Sequence, residues 1–242
     1  MLGLFILALL PTGLSLLLFL AKPFLAEEGV YLSGLFPQMG FLVFLHFLMP
    51  IMAIFVGTAV IAEEVEDRTW PYLMIRPVPR WKMVAAKMIA GIIAVSLMLV
   101  ASLLVTFLLM MSGQDSQTWS SRLPDFLRSC GALLLGTIVY IPLFGCLGGI
   151  IKRPVLAGLI YIFGWESTIG FFPGNVKLIT IIHYLHVIFP PLQQYRFINL
   201  IIPTTRISNT EAVLVLLFIA ALFTGLLMWL PSLREYRLEQ SG

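Results

Sequence analysis

Long apolar stretches alternate with short polar ones along the whole chain. Runs long enough to cross a bilayer as helix cover Leu2 to Ala21, Gly40 to Ala62, Met88 to Met111, Gly131 to Ile151, Val155 to Phe172 and Glu211 to Leu230. A hydrocarbon core of roughly 30 Å takes about 20 helical residues, so the pattern predicts six transmembrane spans. Ten-residue stretches of alternating polarity, the mark of a membrane barrel, do not occur, so the spans must satisfy their backbone groups internally as helices. The expected fold class is all-α, with residues 1–242 forming a single transmembrane domain.

The polar intervals carry their own signals. Ala21 to Gln38, with Lys22, Pro23 and the Glu27-Glu28 pair, reads as a solvated outer connection, and Ser112 to Ser129, containing Pro124, as a second. Lys152-Arg153-Pro154 closes a minimal inner turn, which makes the fourth and fifth spans antiparallel neighbours. Gly145, Gly148 and Gly149 include a small-x-x-x-small spacing, which admits close approach of another helix. Local flexibility is the alternative reading of the same glycines. After the turn at Phe171-Phe172-Pro173-Gly174-Asn175 comes VKLITIIHYLHVIF, fourteen residues and too short to span. Lys177, Thr180, His183 and His186 recur there every three residues as a polar stripe. An interfacial or re-entrant helix is expected between the fifth and sixth spans.

Composition agrees with a membrane solvent: 60% of residues are hydrophobic and 11% charged, against roughly 45–50% and 25% in soluble domains. The basic residues orient the spans. Nine (Arg68, Arg76, Arg80, Lys82, Lys87, Lys152, Arg153, Arg234, Arg237) fall on one side, and six (Lys22, Arg122, Arg128, Lys177, Arg196, Arg206) on the other. The richer side is read as cytoplasmic, which places both termini inside. Without a tight basic cluster, no nucleic-acid partner is expected. Cys130 and Cys146 are sixteen residues apart on one expected helix, about 24 Å at helical rise, too far for a disulfide. Leu2 to Leu20 lacks the basic start and small-residue cleavage site of a signal peptide and is read as the first span.

Few residues could carry chemistry inside the membrane. Glu166 lies twelve residues into the fifth span, some ~18 Å from its inner end, where a carboxylate costs at least ~2.5 kcal/mol on insertion scales. Its helical neighbours Ile162, Phe163, Ile169 and Gly170 offer no partner, so Lys177, Arg196, His183 and His186 are the candidates. Two readings stand: structural pairing near the outer mouth, or a place on a substrate or proton pathway. His183 and His186 share a helix face at i and i+3, but no third ligand completes a metal set, and solvent-facing histidines are expected. His46 is the only intramembrane histidine and reads as a helix-contact residue; with no Asp in any span, intramembrane proteolysis has no residues to use. No metal site is expected.

The remaining feature is the charged run AEEVEDRTWPYLMIRPVPRWKMVAAK between the second and third spans, Ala62 to Lys87. Glu63, Glu64, Glu66 and Asp67 continue the second helix beyond the membrane, Thr69 can cap a short helix with Pro71 in its first turn, and Pro77 and Pro79 end it. Arg80, Trp81, Lys82 and Lys87 then open the third span as an aromatic-anchored, snorkelling start. A short helix parallel to the membrane results, either a docking element for a cytosolic partner or a connector without one.

The order Glu64, Thr69, an apolar run, Pro77-Val78-Pro79-Arg80 and Lys87 resembles the inner loop of ABC-2 type ABC transporter permeases. In that family the pattern reads as a glutamate, Gly-Thr-Leu, paired leucines, Pro-Val-Ser-Arg and Gly-Lys opening the third span. Here Arg68 and Trp70 flank the threonine, Pro79 replaces the serine and Ala86 the glycine. Members usually carry an amphipathic helix before the first span, whereas this chain starts at the span itself, by truncation or because this member lacks that element. The specific likeness covers about 25 residues and the layout the whole chain.

The resemblance implies the permease subunit of an ATP-driven exporter in the cytoplasmic (plasma) membrane, not itself an enzyme. It implies two copies of an ABC ATP-binding subunit as partners, holding ATP and Mg, and a second permease subunit in a homo- or heterodimer. Glu64, Glu66, Thr69, Tyr72, Pro77, Pro79 and Arg80 would form the coupling element. No cofactor is expected in this chain, which contains no G-x-x-x-x-G-K-[ST] loop. The competing function is a membrane anchor or assembly factor that docks a cytosolic protein without transport.

Overall fold

The computed structural model describes residues 2–27, 32–66, 80–169, 175–190 and 207–239, and every regular element among them is helical. The first helix, α1 (Leu2–Leu20), leads into the short α2 (Lys22–Glu27). Helix α3 (Leu32–Met39) runs through a π-helical stretch, Gly40–Leu48, into α4 (Met49–Glu66). Then come α5 (Arg80–Met111) and α6 (Ser116–Ile150). Helix α7 (Pro154–Leu159) continues as a second π stretch, Ile160–Glu166, and ends in α8 (Ser167–Ile169). A 3-10 turn at Asn175–Ile179 precedes α9 (Ile181–Ile188), and α10 (Asn209–Glu239) closes the chain.

Among the described residues, five stretches are long and apolar enough to cross a membrane: Gly3–Leu20, Leu32–Ile61, Trp81–Met111, Ser116–Ile150 and Asn209–Leu230. The expected span at 155–172 appears as the shorter helix Pro154–Ile169. The expected outer connections are shorter than their polarity suggests. The second span begins at Leu32, and Ser112 to Ser129 is largely the first part of α6, which at 35 residues is about 52 Å long. Pro124 forfeits one backbone bond there. The helix continues because one of its sides is apolar: Trp119 and Phe126 set their rings 5.5 and 4.9 Å from Phe107 of α5.

Helix α6 is the hub, packed most extensively against α4 and then α10. The cause is the absence of side chains at the crossing. A Cβ on Gly148 would come within 2.6 Å of the Thr58 carbonyl oxygen, and one on Gly57 within 2.7 Å of that of Ile141. Gly145 and Gly149 present their open faces to Leu227 and Leu230 of α10. Close helix approach is thus the role of the glycine group, as small-residue interfaces in lipid provide. At the opposite end of the bundle the Lys22 Nζ donates to the Ser112 carbonyl at 3.0 Å, tying the start of α2 to the residue that follows α5. Cys130 and Cys146 are free, as their separation requires.

Candidate functional site

The π stretch Ile160–Glu166 explains why Glu166 has a partner on its own helix after all. On an α-helix, residues five apart point about 140° away from each other; a π turn, closed by i to i+5 bonds, brings them to one side. Tyr161 accordingly donates its hydroxyl to Glu166 Oε1 at 2.8 Å. From α6, the fully buried Tyr140 donates its hydroxyl to Oε2 and stacks on Phe144 with centroids 5.7 Å apart.

The other two donors belong to α9. The backbone N–H of Ile181 reaches Oε1 at 3.3 Å and that of Ile182 reaches Oε2 at 3.2 Å. These are among the orphan donors that every helix start must satisfy. Thr180, at the N-cap, does not do so, because its hydroxyl donates to the Lys177 carbonyl at 2.7 Å. Glu166 therefore caps α9 from another element, and its carboxylate faces the positive end of that helix. Four donors on two oxygens match the acceptor capacity of a carboxylate. At 2% exposure Glu166 is shut away from solvent.

Helix α9 runs beside the middle of α6, from Tyr140 back to Ser129, in the opposite direction. Ile182 and Tyr140 meet at Glu166, Leu185 lies against Gly136, and Phe189 reaches Gly40 near Ser129. Its start thus sits ten residues from the C-terminal end of α6 and its end twenty-one residues from it, a climb of about 16 Å along α6.

The upper part of α9 is held at a second point. His46 lies in the first π stretch, where its Nδ1 is 2.9 Å from the Phe41 carbonyl, five residues back. A carbonyl only accepts, so Nδ1 carries the proton. His46 Nε2 is then the acceptor of the 3.0 Å contact with His186 Nε2, which donates. Phe41 packs against both imidazoles, 4.5 and 4.8 Å away. The expectation of solvent-facing histidines is corrected here: His183 is 5% exposed and His186 is partly buried against His46. An amphipathic stripe on a short helix looks solvated in sequence, but α9 is enclosed by α6, α10 and the π stretch. His46 is indeed a helix-contact residue.

Lys177 is also buried, in the turn before α9. Burial and then the Lys177 ammonium lower the pKa of His183. The four hydrogen bonds that define the carboxylate site come from residues other than Lys177 and His183. Arg196 lies outside the described residues.

Glu64 and Glu66 fall in the last turn of α4 and Arg80 opens α5, while Thr69, Tyr72, Pro77 and Pro79 lie outside the described residues, as does the expected coupling helix. A cavity of about 780 Å³ lies between α1, α4 and α5 on that side, lined by apolar residues such as Leu7, Phe55 and Met98 and by Lys87. Tyr140 and Tyr161, which complete the carboxylate site, carry no signal in the sequence beyond being tyrosines in apolar helices. Among the described residues no group of three metal ligands forms. The geometry suits positioning of α9.

A family model described as ABC-2 family transporter protein matches residues 26–230. No curated protein and no solved structure matches the chain.

Proposed function

The chain belongs to the ABC-2 transporter family, and from that membership we propose that it is the permease subunit of an ATP-driven exporter. It works with two copies of an ABC ATP-binding subunit, which hold ATP and Mg, and pairs with a second permease subunit in the cytoplasmic membrane. Both termini face the cytoplasm, and Pro154–Ile169 serves as a short fifth of six spans in one transmembrane domain. Glu64, Glu66, Thr69, Tyr72, Pro77, Pro79 and Arg80 form the coupling element, and no residue of this chain performs the hydrolysis.

The observation that carries this reading is mechanical. The matched region contains residues 67–79, which lie in sequence between α4 and α5. Helix α4 is in turn locked into α6 at Gly57 and Gly148, where backbone meets backbone. A push on the connection therefore reaches the hub helix without passing through flexible side chains. Through α6 it reaches Tyr140 and Glu166, and through the π stretch His46, the two points that hold α9. Helix α9 is read as the outer gate, opened when the hub shifts, for a lipid-like, drug or peptide cargo.

The test is co-purification with a neighbouring-gene ABC ATPase followed by ATP-dependent substrate movement in vesicles. Glu64→Ala with Arg80→Glu should abolish association. A complex with an active ATPase that moves nothing would instead leave the chain as an anchor for that partner.

A further inference from the structure

The chain contains three histidines, and all of them gather at α9: His183 and His186 on the helix itself, and His46 facing it from the π stretch of the second span. Nothing in the carboxylate site requires this. The three residues are spread over 140 positions of sequence, so their meeting is a product of the fold.

The His46 to His186 contact limits the protons it can hold. With His46 Nδ1 committed to the Phe41 carbonyl, the neutral pair has one proton between the two Nε2 atoms. A first added proton enters at His186 Nδ1 and leaves that shared hydrogen bond intact, with the charge spread over two imidazoles. A second added proton puts N–H against N–H at 3.0 Å, which is repulsive in both charge and geometry. The contact must then open. His183 is the nearest further titratable group, on the same helix, and Lys177 adds a positive charge beside it. Glu166, the counter-charge, is engaged at the start of α9, so the Lys177 ammonium and the mutual repulsion of the two imidazolium rings favour release over retention of a doubly protonated pair.

We propose that His46 and His186 form a one-proton site that acts as a latch: with none or one added proton it ties α9 to the second span, and the second proton frees the upper half of α9. Glu166 holds the start of the helix throughout, so the motion is a hinge about Ile181. The partner chemistry is the proton itself, supplied from the side of the membrane that α9 faces. Within the reading of α9 as the outer gate, the latch makes gate opening acid-sensitive.

The experiment uses the purified full chain in lipid nanodiscs, without an ATPase, so its outcome is independent of the transport assay. Cys130→Ala and Cys146→Ala remove the native thiols, and Val187→Cys reports on the upper half of α9 through a water-soluble maleimide. Labelling rates are corrected for the thiolate fraction with a model thiol from pH 8 down to pH 4.5, carried well below the ordinary imidazole value of about 6.5 because burial and the neighbouring imidazoles lower the pKa of His186. The corrected rate should rise about fivefold on acidification, the factor for one hydrogen bond of ordinary net strength. His46→Gln and His186→Gln should each make the rate independent of pH, while His183→Gln should retain the step. Nitrogen-15 histidine spectra provide the second readout: the pair should take up one proton without loss of the shared hydrogen bond and lose it on the second. A flat wild-type profile, or an unchanged step in both glutamine variants, would overturn the latch.

Discussion

Removal of the Glu166 side chain strips a buried set of donors of its acceptor. Glu166→Ala leaves the N–H groups of Ile181 and Ile182, fixed in the first turn of α9, facing nothing. Each buried donor left unpaired costs about 1–3 kcal/mol, so the two together cost about 2–6 kcal/mol before the tyrosine hydroxyls are counted. Against a typical stability of about 5–15 kcal/mol that is a large loss. Glu166→Gln should cost less. Each carboxylate oxygen receives one tyrosine hydroxyl and one backbone N–H. A hydroxyl can turn to accept from the new amide NH2, whereas the backbone N–H cannot, so one unpaired donor remains, about 1–3 kcal/mol. The assay is thermal unfolding of the detergent-solubilised chain together with hydrogen exchange of a peptide containing Ile181 and Ile182. Stability should fall in the order wild type, Gln, Ala, with exchange rising in the same order. An alanine variant that melts like wild type with unchanged exchange would refute the capping role. If Gln sustains transport while Ala misassembles, the role is structural and the pathway reading of Glu166 is excluded.

Three further outcomes follow from the packing. Gly148→Ala forces a methyl group against the Thr58 backbone and should destabilise by about 1–3 kcal/mol in thermal unfolding, whereas Gly131→Ala, with no atom within 4 Å of the new Cβ, should be neutral or gain up to about 1 kcal/mol from helix propensity. Tyr161→Phe removes one of the two hydroxyl donors and should lower thermal stability by about 1 kcal/mol; if Tyr161→Phe costs nothing in a Glu166→Gln background, the two residues are coupled as described. Lys22→Met, which cuts the exposed bond to Ser112, should change the melting point little, within the range of about 0.5 kcal/mol typical of surface changes.

Legibility in the sequence tracked how much of each element is set locally. Helices and their apolar lengths were readable because twenty-residue apolar runs admit no other structure in lipid. The glycine crossing was half readable: spacing pointed to close approach, but only the fold shows that Gly148 meets Thr58 and Gly149 meets Leu230. Helical content at 116–129 was hidden, since a polar, proline-containing stretch resembles a loop until Phe107 supplies a surface for Trp119 and Phe126. The partners of Glu166 were hidden for two reasons. A periodicity of 3.6 turns Tyr161 away from it, and only the π stretch turns it back; the backbone N–H groups of α9 have no sequence signature at all. The histidines looked solvated because a short helix with a polar stripe gives no sign of what will enclose it. The residues from Thr69 to Pro79 lie outside the described residues, and the coupling role proposed for them rests on the family.

The central claim is that this chain converts ATP hydrolysis by a partner into movement of a substrate across the membrane. The direct measurement is ATP-dependent substrate movement in vesicles holding this chain with its ABC ATPase, compared with vesicles in which Glu64→Ala and Arg80→Glu are combined. The account predicts movement that requires ATP and is lost in the variant while the ATPase itself stays active. Hydrolysis by a stably bound ATPase without any ATP-dependent movement in the wild-type complex would contradict it.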